Sequence, residues 1–392
     1  MGCCTNYFDL CRRLGVIQHM RWTNHTTWVE AGGRTSVMSP WSLPTPAHLA
    51  PGLMGAKFLS FADKAAISSA MAALLREDRR ACRGITFAQW LSRHDQPQSA
   101  RRKFWEPVIV SACNLALERV CAATAIHVFQ EGFLANRDAS AIAVSGVPLV
   151  ALYDGAANVI AGGAGGAVRL GTSVERVWAD RVRLSSGEVI GADRVVLATT
   201  FERARRLIDE ETRATDDRFA ALDAITHSPI LGVHMVFDRP VLPHPHAVLV
   251  DRPTQWVFRK DDNGCKIHAV ISGADEWMDL DEAQITRRVL DDIQACFPDA
   301  DGGASLLASR PVKEKLATFA PTIEMESRRV AVQGPSGIVL AGDYVDTGWP
   351  ATMEGAVRAG IMAAAAVLGV KASDMLSPPL PMGAIPALLH AG

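Results

Sequence analysis

The run Val339-Leu340-Ala341-Gly342-Asp343-Tyr344 leads through Gly348-Trp349-Pro350-Ala351 into Thr352-Met353-Glu354-Gly355. An apolar strand that stops at Gly342 lets backbone approach a ligand closely, because glycine has no Cβ. Asp343, the next residue, can accept hydrogen bonds from sugar-like hydroxyls. A helix beginning near Thr352 aims its first amides and the positive end of its dipole at electron-rich oxygen. Trp349 and Pro350 fall in the connector, Met353 and Glu354 in the first turn. Gly355, Ala356, Gly360 and Ala363 would keep that helix slim enough to pack close to a cofactor. The chemistry such a constellation serves is the holding of a hydroxyl-rich, electron-rich group.

Other residue groups carry less. A second candidate stretch runs from Val168 to Val177, includes Val174, and leads to the apolar run Val195–Thr199 and the turn at Ala198, Thr199 and Thr200. Many hairpins match its pattern, so it is weak alone. His244-Pro245-His246 could suggest a metal pair, but proline separates the histidines and no carboxylate cluster lies near, so a surface loop and no metal are expected. Glu324 and Glu326 read as solvated carboxylates, although a carboxylic acid could help a hydroxyl leave. Phe104 and Trp105 read as core residues, with Trp349 the better candidate for a place beside a ligand. No catalytic acid, base or nucleophile stands out.

The elements that must position these residues are legible in part. Phe8–Gly15 reads as a helix end, with Arg12 and Arg13 in its last turn and Gly15 as the stop. Arg21–Arg34 suggests strands with a turn at Gly32-Gly33, and a proline-rich connection follows through Pro40, Pro44, Pro46 and Pro51. Ala62–Arg80 is predicted as an amphipathic helix, apolar at Ala66, Ile67, Ala70, Met71 and Leu74. Phe87–Leu91 and Ala100–Ala123 are predicted as two more. Gly162–Gly166 is glycine-rich and fails as a phosphate loop, because strands follow: Val168–Leu170, Val174–Trp178, Arg181–Leu184, Val189–Ile190 and Arg194–Ala198. A helix at Glu202–Ile208 precedes strands at Ile230–Phe237, Ala247–Val250, Gln255–Arg259 and Lys266–Ser272. Asp281–Phe297 is a patterned helix with Ile285, Val289, Ile293 and Cys296 on one face. A strand at Gly337–Leu340 and a helix from Thr352 to Leu368 close the pattern, and the proline cluster from Ser377 reads as a disordered tail.

Composition bounds the function. The chain has 392 residues, 48% hydrophobic and 21% charged, with a formal net charge of −2. That size suits two domains, and the balanced charge offers no basic stripe for nucleic acid. The eight cysteines form no CxxC pair, which suits free thiols in a reducing cytosol better than disulfides or zinc. Asn6 stands where a myristoylation signal wants Ser or Thr, and no signal peptide is evident. Apolar runs such as Ala359–Val370 fall short of the ~20 residues a spanning helix needs. The expected location is cytoplasmic, with peripheral contact at the inner face of the cell membrane.

LAGDYVDTGWPATMEGAVRAG, from Leu340 to Gly360, resembles the C-terminal flavin motif of phytoene-desaturase-like and amine-oxidase-like flavoproteins. That resemblance implies FAD, with Gly342, Asp343, Trp349, Pro350, Thr352, Met353 and Glu354 at the cofactor. It also implies that the backbone at Val174 meets the adenine and that Ala198 and Thr199 pass near the pyrophosphate. A helix start at the pyrimidine edge would favour the reduced, negatively charged flavin. A finer resemblance, to bacterial squalene-associated desaturases or hydroxysqualene dehydroxylases of hopanoid synthesis, rests on Gly2–Tyr7 through Asp9–Gly15 and Val29–Arg34. It rests also on Phe104-Trp105-Glu106-Pro107, Trp277-Met278 and Thr318–Thr322.

What the resemblance implies is an α/β fold: an FAD-binding Rossmann-like domain with a discontinuous α+β substrate domain. The first would take residues 1–19, 155–226 and 333–375, the second 20–154 and 227–332, with 376–392 a tail. The family's opening strand, GxGxxG turn, helix and ribose-binding acid have no counterpart here, so the first βαβ unit is expected to be absent. A misplaced start codon or a genuine truncation would explain it. The implied reaction is reductive dehydroxylation of hydroxysqualene to squalene, a long-chain isoprenoid, with NADPH or a reductase as electron donor. A carotenoid or dehydrosqualene desaturase is the alternative, and a truncated, non-catalytic fragment the other-class alternative.

Overall fold

Two compact units share the chain, each assembled from separated segments. The structure, a computed structural model, describes residues 1–163, 165–298 and 303–390.

The first unit comprises Met1–Trp22, Ile142–Ile225 and Glu324–Leu380. Strands β1 (Met20–Thr23) and β4 (Ile142–Ser145) form a small pair, and β5 (Val174–Val177), β6 (Arg181–Leu184) and β7 (Val189–Gly191) an antiparallel meander. Strands β8 (Val196–Leu197) and β14 (Val339–Leu340) lie parallel, Val196 beside Val339 and Leu197 beside Leu340. The Thr5–Arg13 helix ends as its sequence suggests, with Arg12 and Arg13 in the last turn and Gly15 at φ +69°. Its Tyr7, Phe8 and Cys11 join Met20 and Leu152 in a small apolar core.

The second unit comprises Thr23–Ala141, Thr226–Ile323 and Pro381–Gly392. Its frame is a seven-stranded sheet in the order β13-β9-β12-β11-β10-β2-β3, from β2 (Thr26–Val29), β3 (Thr35–Met38), β9 (His227–Phe237), β10 (His246–Leu249), β11 (Trp256–Arg259), β12 (Lys266–Ser272) and β13 (Leu306–Phe319). Alternation along β9 turns Leu231, Val233 and Met235 to one face, where they share a core with Ile285, Val289, Ile293 and Cys296 of the Glu282–Cys296 helix. On the other face Trp28 and Val248 join an aromatic core that includes Phe58, Phe87, Trp90, Phe104, Trp105 and Phe129.

Several sequence expectations need correction. The Ala62–Arg80 helix spans Phe61–Leu74, opened by a reciprocal Ser60–Asp63 capping box and closed before the charged run at Arg76–Arg80. The Ala100–Ala123 helix is broken. Its Glu106–Cys113 part ends at Asn114, a left-handed residue whose side chain donates to the Ser228 carbonyl and accepts from the Gly273 amide. A new helix at Ala122–Phe129 is buried at every residue and so has no amphipathic period to betray it. Val168–Leu170 is exposed coil, while Ala156–Gly162, which carries no helix signal of its own, is helical. β13 carries no strand signal in the sequence, because an edge strand can hold Arg310, Pro311, Lys313, Glu314 and Lys315 without a buried alternation. From Ser377 the described chain is held by hydrogen bonds at Ser377 and Pro381, and it forms a helix at Ala384–His390. Ala164, within the glycine-rich stretch, lies outside the described residues.

Candidate functional site

Parallel pairing puts the C-terminal ends of β8 and β14 on one side. Val339 N–H donates to Val195 O and Ala341 N–H to Leu197 O, each at 3.1 Å. Ala198-Thr199 therefore leaves beside Gly342-Asp343, which is where open parallel sheets hold ligands. A second link joins the strand ends: the Phe201 ring meets the Tyr344 ring edge-on at 6.2 Å. The Phe201–Leu207 helix then packs against β5.

Gly342 is required, but for a reason other than the one the sequence suggests. A Cβ there would come within 2.4 Å of the Tyr344 ring, so Tyr344 fills the space that glycine leaves. Tyr344 is buried and its hydroxyl has no hydrogen-bond partner among the described residues. Burial raises the Tyr344 hydroxyl well above its ordinary range, and the neighbouring Asp343 charge adds to the effect. Burial also raises the Asp343 carboxyl, an effect opposed by the Arg329 charge and by the amides of Asp343 and Tyr344.

Arg329 organises the connector from Asp343 to Trp349. Its side chain is only 3% exposed. Nη2 donates to the carbonyls of Asp343 (2.6 Å) and Val345 (2.7 Å), and Nη1 donates to that of Trp349. Asp346 N–H returns a bond to Val330 O at 2.9 Å. Glu326 lies 3.9 Å from the guanidinium and is largely buried, so it is no solvated carboxylate; Glu324 is exposed as expected. No sequence motif marks Arg329, because three of its acceptors are backbone carbonyls. The connector ends in a tight turn, where Gly348 has φ +75° and Thr352 caps the Met353–Leu368 helix by accepting the Gly355 amide at 3.1 Å. Met353 and Glu354 amides in this first turn have no intrahelical acceptor by position. A Cβ on Gly355 would approach Pro350 O to 2.7 Å, which accounts for glycine there. Ala363 is buried, whereas Ala356 and Gly360 face outward, so the slim face is formed by Gly355, Ala359 and Ala363.

Glu354 is buried, and its carboxylate accepts from the Asn6 side chain and the Tyr7 amide, each at 2.8 Å, at the start of the Thr5–Arg13 helix. Arg358 stands 3.6 Å from it and 5.8 Å over the half-buried Trp349 ring. Met353 is exposed, with the Tyr153 hydroxyl 3.7 Å from its sulfur. The structure thus gathers Ala198, Thr199, Gly342 and Asp343 at the strand ends. Trp349, Pro350, Thr352, Met353 and Glu354 follow in the connector and helix start, while Val174 opens β5 in a different sheet. The histidine reading is corrected in the second unit: His246 is buried on β10 and stacks on Trp256 at 5.9 Å, rather than lying in a surface loop. Among the described residues no cluster of metal ligands forms, and no two cysteines are joined by a disulfide.

Residues 2–368 match the family described as flavin containing amine oxidoreductase. Over 200 residues the chain is 28% identical to the 15-cis-phytoene desaturase of Narcissus pseudonarcissus, covering 47% of this chain and 35% of that protein. Over 174 residues it is 30% identical to the hydroxysqualene dehydroxylase of Zymomonas mobilis, covering 44% of this chain and 38% of that protein. The matched stretch is thus well under half the length of each relative. Putrescine oxidase bound to putrescine superposes with a TM-score of 0.66 at 15% identity, covering 93% of this chain and 86% of that one. An oxidoreductase from Methanosarcina mazei gives 0.66 at 15% identity, covering 92% and 85%. At such identities the likeness establishes the α/β fold.

Proposed function

Because the chain belongs to the flavin containing amine oxidoreductase family, we propose that the strand ends at Ala198-Thr199 and Gly342-Asp343, with the capped helix start, hold FAD for a reaction on a long apolar isoprenoid. The family is one of FAD-dependent oxidoreductases, and the cofactor, when bound, supplies hydride transfer. The observation that carries the assignment is the parallel β8–β14 pair: both strands end together, and one leads into a helix whose first amides are available by position. The residues suit the group. Asp343 is a half-buried acceptor for hydroxyls, the Tyr344 hydroxyl is a donor without a partner among the described residues, and Arg329 fixes the intervening loop.

The preferred reaction is reductive dehydroxylation of hydroxysqualene to squalene, with electrons from NADPH or a partner reductase. The similarity to a hydroxysqualene dehydroxylase supports it. Similarity to 15-cis-phytoene desaturases supports the rival, a desaturation run in the oxidative direction. The chain's own part is to orient the ligand, to exclude water, and to keep a raised Asp343 carboxyl beside the Arg329 charge. Incubating the FAD-supplemented protein with hydroxysqualene plus NADPH, and separately with phytoene plus an electron acceptor, separates the two. Squalene from the first mixture alone supports dehydroxylation. A desaturated product from the second alone replaces it with the rival, and no product from either removes the isoprenoid assignment.

A further inference from the structure

The chain has three tyrosines, Tyr7, Tyr153 and Tyr344. Tyr7 and Tyr344 are buried, whereas Tyr153 is 41% exposed. The backbone of Tyr153 is fixed on both sides: its amide donates to the Val150 carbonyl at 3.0 Å, and its carbonyl accepts from the Ala156 amide at 2.9 Å. Leu152, the residue before it, is sunk in the small core that holds Tyr7, Phe8 and Cys11. The ring is thereby brought to the first turn of the Met353–Leu368 helix, where its hydroxyl donates to the Met353 sulfur from 3.7 Å. All of these residues belong to the first unit.

A thioether is a weak acceptor, so the Tyr153 proton is not committed to a strong partner. The other oxygen acids at the strand ends and helix start are committed. Glu354 accepts from the Asn6 side chain and the Tyr7 amide. The Glu202 charge helps to raise the Asp343 carboxyl, so Glu202 stands as a carboxylate with no proton to give. Asp343 is the acceptor assigned to hydroxyls of the cofactor. Burial pushes the Tyr7 hydroxyl well above its ordinary range, and Tyr153 beside it adds to the effect. Tyr7 therefore keeps its proton and is shut away from solvent, as Tyr344 is. Tyr153 combines an O–H group with an open approach, and Met353 beside it is exposed as well.

Hydroxide is a poor leaving group, so replacing a hydroxyl by hydrogen needs an acid at the departing oxygen. We propose that Tyr153 is that acid, passing its phenolic proton to the hydroxyl that leaves the isoprenoid; this rests on the dehydroxylation reading of the site. The carbon–oxygen bond breaks and both its electrons stay with oxygen, which takes the Tyr153 proton and departs as water. The vacated carbon receives the hydride that the reduced cofactor supplies, and the phenolate recovers a proton from solvent, to which the ring is open. One proton and one hydride are consumed for each hydroxyl replaced, which balances the alcohol against hydrocarbon and water. Met353, as a weak acceptor, holds the hydroxyl in place until a substrate oxygen takes the bond.

Tyr153→Phe removes the hydroxyl and keeps the ring. In the FAD-supplemented chain with hydroxysqualene and NADPH it should slow squalene formation by about 100-fold or more, while FAD affinity and melting temperature stay at the wild-type values. A second readout needs no turnover. With the tyrosines isotope-labelled at Cζ, the Tyr153 resonance is the one that Tyr153→Phe lacks. Adding hydroxysqualene to the oxidised, FAD-supplemented wild type without NADPH should shift that resonance, whereas squalene, which has no hydroxyl, should leave it in place. A ring that serves packing alone would respond to both ligands alike. Squalene formation by Tyr153→Phe at the wild-type rate overturns the inference, and so does a Tyr153 resonance that does not distinguish hydroxysqualene from squalene. A wild-type chain that forms no squalene removes the dehydroxylation reading and the inference with it, and it is told apart because that failure precedes any substitution.

Discussion

The Glu354 carboxylate accepts the Tyr7 backbone amide at 2.8 Å, tying the first turn of one helix to the first turn of another. Both ends are positive poles of helix dipoles, and a single buried negative charge, 1% exposed, serves them together. The Asn6 side chain and Arg358 complete its surroundings.

Changing Glu354 to Gln keeps the shape and removes the charge. Charge-assisted hydrogen bonds are worth about 1.5–3 kcal/mol each, and a buried partner left unmatched costs a similar amount. Glu354→Gln should therefore lower unfolding stability by roughly 2–3 kcal/mol, and Glu354→Ala by more. Urea midpoints measure this; an unchanged midpoint in both variants would mean that the two helix starts are held by other contacts.

Arg329 serves the connector as Glu354 serves the helices. Arg329→Gln should release the carbonyls of Asp343, Val345 and Trp349 and remove the positive charge beside Glu326, at a cost of about 3 kcal/mol. FAD affinity, followed by quenching of flavin fluorescence, should fall at least tenfold, and Arg329→Lys should recover part of it. Equal affinity in wild type and Gln variant would detach the connector from cofactor binding.

The glycines of the last long helix separate packing from propensity. Gly355→Ala meets Pro350 O at 2.7 Å, whereas Gly360→Ala meets nothing within 4 Å. The first should destabilise the chain, and the second should stabilise it by up to about 1 kcal/mol through helix propensity. Gly342→Ala, pressed against the Tyr344 ring, should be the most damaging of the three. Thermal melts of the three variants rank them directly.

How much of this could be read from the amino-acid order depends on what each residue does. The strand-glycine-aspartate-helix series was legible because residue type and spacing are themselves the device, and the Thr352 cap follows from the same rule. Arg329 was not, since a guanidinium that donates to three backbone carbonyls leaves little trace in residue type, and Glu326 three positions before it reads as an ordinary surface acid. The Ala122–Phe129 helix was hidden by burial on all sides, β13 by its edge position and charges, and the end of the preceding helix by the left-handed turn at Asn114. The sequence suggests that Gly342 makes room for a ligand, whereas the side chain that demands glycine there, Tyr344, emerges only from the fold.

Asp216 gives the chain a pH signature. Burial would raise its carboxyl, but hydrogen bonds from Arg218 and Ser336 outweigh burial and hold it down at about 2. The ordinary value is about 3.9. A depressed folded value adds stability that is complete above the unfolded value and is lost as pH falls from about 4 to about 2. Asp216→Asn should remove roughly 2 kcal/mol at neutral pH and flatten the acid limb of a stability–pH curve. A variant as acid-labile as the wild type would assign that limb to other carboxylates.

The most direct test of the central claim is an FAD titration of the purified 392-residue chain, read by flavin absorbance after removal of free cofactor. The account predicts a yellow protein with a saturable, stoichiometric flavin that Arg329→Gln releases more readily. A folded chain that remains colourless after incubation with excess FAD would contradict the assignment of the β8–β14 strand ends as its site.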